Sequence, residues 1–222
     1  GKSLVSFTGT DNVLQLMGDN HFRRSLDSNY SGIDTGLGLT IADGDGSGSL
    51  TADFWGGGSA IGSNKSKGYL DIDSGTLIVS GAGWGDNLGS VEKLTIYGGT
   101  IRTGVGSASA HAGIGTVSGG TVTINGGTVI SRGFTGIGGN GNVVINAGDV
   151  EAYGEFGAAI GSNENKADSG GGNITINGGT VFAQEDPVGS SDYGGAGIGS
   201  GAGNSCGDIT FNGGKIRATA TD

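Results

Sequence analysis

The sequence predicts an all-β chain folded as a right-handed, single-stranded parallel β-helix, a solenoid of about seven three-sided turns. Three observations carry this. Short alternating segments recur along the chain. A tight corner rich in Asn and Gly joins them in pairs. A Gly-Ile-Gly element closes most repeats.

The first two features are visible in Leu94-Thr-Ile-Tyr-Gly-Gly-Thr-Ile-Arg-Thr, Val122-Thr-Ile-Asn-Gly-Gly-Thr-Val-Ile-Ser, Ile174-Thr-Ile-Asn-Gly-Gly-Thr-Val-Phe-Ala and Ile209-Thr-Phe-Asn-Gly-Gly-Lys-Ile-Arg-Ala. Tyr69-Leu-Asp-Ile-Asp-Ser-Gly-Thr-Leu-Ile-Val and Val144-Ile-Asn-Ala-Gly-Asp-Val-Glu-Ala are variants of the same unit. Alternation with period two turns one side of each strand inward. The inward pairs are therefore Leu70/Ile72, Leu94/Ile96, Val122/Ile124, Ile174/Ile176 and Ile209/Phe211 on the first strand. On the second strand they are Leu77, Ile101, Val129, Val150, Val181 and Ile216, each followed two places on by a smaller residue. The third element supplies Ile61, Ile114, Ile137, Ile160 and Ile198. It is missing or altered after Val79, where Trp84-Gly-Asp-Asn-Leu88 occupies its place. The repeat length varies between about 21 and 38 residues, as solenoids allow. Asn125, Asn146, Asn177 and Asn212 recur at the corner and are expected to stack as an amide ladder, with Asp73 and Tyr97 in their place in earlier turns.

Residues 1–222 read as a single β-helix domain, with 1–36 a divergent entry turn and 37–222 the regular Gly-rich turns. Strand-like sequence at both ends would expose pairing edges, so the chain is expected to be a section of a larger protein with flanking domains, or to meet a partner at its bare ends.

Composition sets the outer limits. With 53 glycines and a single proline, the chain has no three-residue period and is not collagen. Disorder would suit that composition, but the register between apolar residues and glycines argues for a fold. A net charge of −10 argues against a nucleic-acid track. No apolar run approaches the roughly 18 residues of a membrane-spanning helix. Cys206 is alone, so it forms no disulfide within the chain.

The Asn-Gly-Gly-Thr strand pair followed by a Gly-Ile-Gly-Ser element resembles the Gly-rich β-helical repeats of large secreted or wall-attached bacterial proteins, described as adhesin-like or carbohydrate-binding. The likeness covers about residues 37–222. The resemblance implies an extracellular, cell-surface location and a polysaccharide or host-glycan partner. It carries no catalytic motif onto any residue here.

Aromatic faces beside planar polar groups bind sugars, which makes Trp84, Arg102, Tyr153, Phe182 and Tyr193 the glycan-binding candidates, with Phe156 a further exposed aromatic and Arg102 and Arg217 expected to flank the Phe182 column. Asp43, Asp45, Ser47 and Asp53 form a weak Ca²⁺ motif, Asp-x-Asp-x-Ser-Gly. Phe54 stands where a calcium loop needs its bidentate carboxylate, so an acidic corner is the simpler reading and no cofactor is required. No catalytic residue is assigned: the outward columns place no two acids on adjacent turns, and His21 and His111 have no partner in register. The expected function is a non-catalytic adhesive, glycan-binding or stalk module of a bacterial surface protein. The alternative is a polysaccharide-degrading β-helix. Ice binding through the outward Thr95, Thr123, Thr175 and Thr210 column is a third reading, weakened by Asp71 and Val144 in the same column.

Overall fold

A computed structural model describes residues 2–25, 29–104, 111–163, 170–185 and 194–220, with the side chains of Ser25 and Ala82 left aside. All regular structure among them is β, and no helix is long and apolar enough to cross a membrane. The strands form three parallel sheets of eight strands each. The chain visits them in a fixed order, here called A, B and C, and every sheet pairs each strand with those one turn before and after. This is a parallel β-helix.

There are thus eight turns rather than seven. The divergent entry segment builds a complete turn of its own, from Val5–Ser6, Asn12–Leu16 and Asp19–Ser25. The third strand is also present where the sequence suggested a gap. Leu88 pairs with Ile61 on one side and Ile114 on the other, so Leu simply replaces Ile in the sheet A column.

The core consists of the predicted columns except at Ile209 and Phe211, which keep the register of the column but are exposed in the last described turn. Leu39, Leu70, Leu94, Val122, Val143 and Ile174 stack in sheet B, with Ile41, Ile72, Ile96, Ile124, Ile145 and Ile176 beside them. All twelve are buried. In sheet C, Leu50, Leu77, Ile101, Val129, Val150 and Val181 form the matching column. No turn buries its own apolar residues. Each does so only against its neighbours, and this makes the stack cooperative. Two inward hydroxyls of sheet C pair with each other: Thr103 Oγ1 and Ser131 Oγ are 2.9 Å apart, and Ser131 also donates to the Gly136 carbonyl at 2.6 Å.

The corner between sheets B and C is fixed by backbone geometry. Its second glycine has positive φ in successive turns: 87° at Gly99, 85° at Gly127, 101° at Gly148, 86° at Gly179 and 92° at Gly214. A Cβ at Gly127 would also lie 2.6 Å from the Gly99 carbonyl oxygen, so glycine is required on two counts. The predicted ladder runs along this corner. Asn146 donates to Asn125, Asn177 to Asn146 and Asn212 to Asn177, each at 2.7 Å.

Candidate functional site

The corner between sheets C and A behaves differently, because its loops vary in length. In the third turn the sequence Gly83-Trp84-Gly85 lies directly on the turn below. A Cβ at Gly83 would sit 1.8 Å from the Gly56 carbonyl oxygen, and one at Gly85 2.5 Å from the Gly58 carbonyl carbon. The two glycines pack backbone on backbone, and the indole between them has nowhere to go but outward. Trp84 is 78 % exposed.

The indole overhangs a cleft of about 190 Å³, lined among others by Asp86, Ser90, His111, Thr116, Asn140 and Asn163. Those residues come from four successive turns, so no single repeat carries the site. Asp86 is the one carboxylate among them. Its Oδ2 accepts from the Ser90 backbone N–H at 3.2 Å and packs over glycine backbone: a Cβ at Gly89 would be 2.4 Å from that oxygen. Burial of the carboxyl raises its pKa from 3.8 to about 6, against opposing contributions from the His111 charge and from hydrogen bonds to the backbone of Ser90 and Ala112. On the far wall, Asn163 donates to Asn140 at 3.3 Å and accepts from Asn204 at 2.8 Å, a second amide ladder that ends in the cleft.

An aromatic ridge runs along the same corner. Trp84 meets His111 edge-on at 6.3 Å, His111 lies 6.5 Å from Phe134, and Phe134 meets Phe156 edge-on at 4.9 Å. Phe134, Asp86, Asn140 and Asn163 were not singled out by sequence reasoning, and His111, read there as having no partner in register, meets Trp84 and Phe134 and acts on the Asp86 charge. A signal was available. Trp84, His111, Phe134 and Phe156 each stand three or four residues before the sheet A residue of their turn, Leu88, Ile114, Ile137 and Ile160. Aligning the turns on that column, rather than on the Asn corner, brings the four rings together.

The other candidates separate. Tyr153 and Phe182 meet edge-on at 6.0 Å on the outer face of sheet C. Their rings are covered: the Arg132 guanidinium lies 3.7 Å from the Tyr153 centroid and that of Arg217 lies 5.3 Å from the Phe182 centroid. The Tyr153 hydroxyl donates to Glu151 at 2.9 Å. Arg102 does not flank this pair. It lies in the same column as Phe182 but three turns away, by way of Ile130 and Glu151. Tyr193 lies outside the described residues.

The acidic corner is held together by its own backbone. Asp43 Oδ1 accepts from the N–H groups of Asp45, Gly46 and Gly48, and Asp45 Oδ1 from the N–H and hydroxyl of Ser47. These hydrogen bonds, the Ser47 hydroxyl foremost, lower the pKa of Asp45. Asp53 points elsewhere. It pairs with Arg23 at 3.4 Å and accepts from Trp55 Nε1 at 3.2 Å. The four residues of the weak calcium motif therefore do not converge, and no group of three or more His, Cys, Asp or Glu suited to a metal occurs among the described residues.

No protein-family model, curated protein or solved structure matches the chain.

Proposed function

We propose that this chain is a non-catalytic β-solenoid that binds glycans, with the Trp84 cleft as its sugar site, and that it serves as an adhesive or stalk module at a bacterial cell surface. The observation that carries the reading is the exposed Trp84 face above a cleft walled by carboxylate, imidazole and amide groups. A pyranose ring offers an apolar face of C–H bonds and an equatorial rim of hydroxyls. The indole suits the first, and Asp86, Asn140 and Asn163 suit the second. At about 190 Å³ the cleft is smaller than pockets for drug-sized ligands and fits one terminal or branch ring. Tyr153 and Phe182 suit stacking less well, because guanidinium groups already occupy their faces.

Binding is favoured over hydrolysis because Asp86 is the one carboxylate among the described residues that line the cleft, whereas glycosidases of the two-carboxylate type place a pair about 5–10 Å apart. The test is a glycan array probed with fluorophore-labelled protein, with positive glycans then titrated calorimetrically. Trp84→Ala should lose binding and Trp84→Phe keep part of it. Equal binding by the alanine variant, or release of reducing ends from any arrayed polysaccharide, would overturn the proposal.

A further inference from the structure

All five arginines of the chain lie in the strands of sheet C: Arg23 and Arg24 in the first turn, then Arg102, Arg132 and Arg217. Nothing in the repeat demands this, since the outward positions of sheet B carry mostly threonine and asparagine, with Tyr69, Asp71, Lys93 and Val144, and no arginine among the described residues. On the outer face of sheet C the cations Arg23, Arg102, Arg132, Lys215 and Arg217 stand against Asp19, Asp53, Asp149 and Glu151. This face is close to neutral in a chain whose net charge is −10, so the acid excess lies on the rest of the molecule.

The guanidinium groups are also presented in a particular way. Arg217 stacks on Phe182 and Arg132 on Tyr153, and the two rings touch each other, so aromatic surface orients both planar groups. Arg102 and Arg217 are exposed, and neither forms an ion pair with a described residue. From Arg102 to Arg217 the column climbs four turns, about 19 Å at 4.8 Å per turn. Arg132 stands on the turn next to Arg102.

We propose that the outer face of sheet C from Arg102 to Arg217 binds an anionic polysaccharide bearing carboxylates, a uronate polymer, laid along the stack. A guanidinium fork pairs with a carboxylate through two parallel hydrogen bonds, which an ammonium group cannot do. The spacing of the cations selects for charge density. Duplex DNA carries one charge per roughly 1.7 Å, and such a polymer would press its charges against Asp149 and Glu151. A uronate chain carries one carboxylate per sugar ring and can place them opposite the arginines. This surface is separate from the Trp84 cleft, and the inference does not rest on the cleft reading.

The probe is a polygalacturonate oligomer, titrated calorimetrically at low salt. Binding by the wild type should weaken as NaCl is added. The Arg102→Gln/Arg132→Gln/Arg217→Gln variant should bind at least about ten-fold more weakly, because three charge-assisted pairs are lost. The corresponding triple Arg→Lys variant should recover only a minor part, since charge returns without the fork. Arg102→Gln alone, remote from the stacked rings, should lose several-fold with an unchanged melting temperature, which separates lost binding from lost folding. Lys65→Gln/Lys67→Gln, at the corner between sheets A and B, should bind as the wild type does. Wild-type affinity in the triple glutamine variant, an equal loss in the lysine control, or tighter binding of heparin or single-stranded DNA than of polygalacturonate would each overturn the proposal.

Discussion

Replacing Asp86 with Asn should make the chain more stable, by an amount that grows with pH. The carboxyl titrates at about 6 in the fold against 3.8 when unperturbed, because burial disfavours its charged form. The folded state therefore holds this proton more tightly than the unfolded state does. Between those two values the folded chain binds more protons, so stability falls as pH rises, and the deficit is complete by about pH 7. The shift corresponds to at most about 3 kcal/mol. Roughly half of that is already present at pH 5, which leaves about 1.4 kcal/mol to develop between pH 5 and pH 8. An amide does not ionise in this range, so Asp86→Asn removes the slope. Any constant cost of exchanging carboxylate for amide, such as a weaker bond from the Ser90 N–H, drops out of the difference between the two pH values. Urea denaturation of both proteins at pH 5, 6, 7 and 8 measures it. Parallel stability profiles for the two proteins, or a variant that loses ground as pH rises, would refute the argument that Asp86 is held in a desolvating wall.

Two further comparisons test the architecture. Gly127→Ala puts a Cβ at φ 85° and 2.6 Å from the Gly99 carbonyl oxygen, and should cost about 2–4 kcal/mol by denaturation. Gly119→Ala, at φ 78° with nothing within 4 Å, should cost only about 1 kcal/mol, and equal losses would show that the packing contact contributes nothing. Asn177→Ala breaks two ladder hydrogen bonds and should cost about 1–2 kcal/mol. Asn87→Ala should cost less, although Asn87 is fully buried, because neither amide atom has a partner among the described residues. A larger loss at Asn87 than at Asn177 would contradict this.

The sheets were legible because inward residues obey period two and repeat in register. Ile72, Ile96 and Ile124 announce a column without any knowledge of the corners. The Asn125 to Asn212 ladder was legible for the same reason, since that corner has constant length. The cleft was not. Its residues sit on a corner where loops differ in length, so Trp84 and His111 fall out of alignment when turns are matched on the Asn corner. Asp86 and Asn163 lie 77 positions apart, and nothing local to either signals the other. The missing third strand after Val79 was a matter of identity: Leu88 fills an Ile position, and the eye searching for Gly-Ile-Gly passes over it. Arg102 was assigned to the Phe182 column correctly but not to its height in the stack. That requires counting turns rather than reading alternation.

The Asn corner has a direction. Every hydrogen bond in it runs the same way, from the amide of one turn to the amide oxygen of the turn before. Like bricks with a peg below and a socket above, the turns are interchangeable in position but not in orientation. Deleting or duplicating one whole turn between Asn125 and Asn212 would leave the same single unused donor at one end and the same single unused acceptor at the other. The ladder itself therefore sets no length along this axis, since each added turn would repeat the same bond. The two surfaces assembled across several turns, the cleft and the arginine face, are what such copying would disturb.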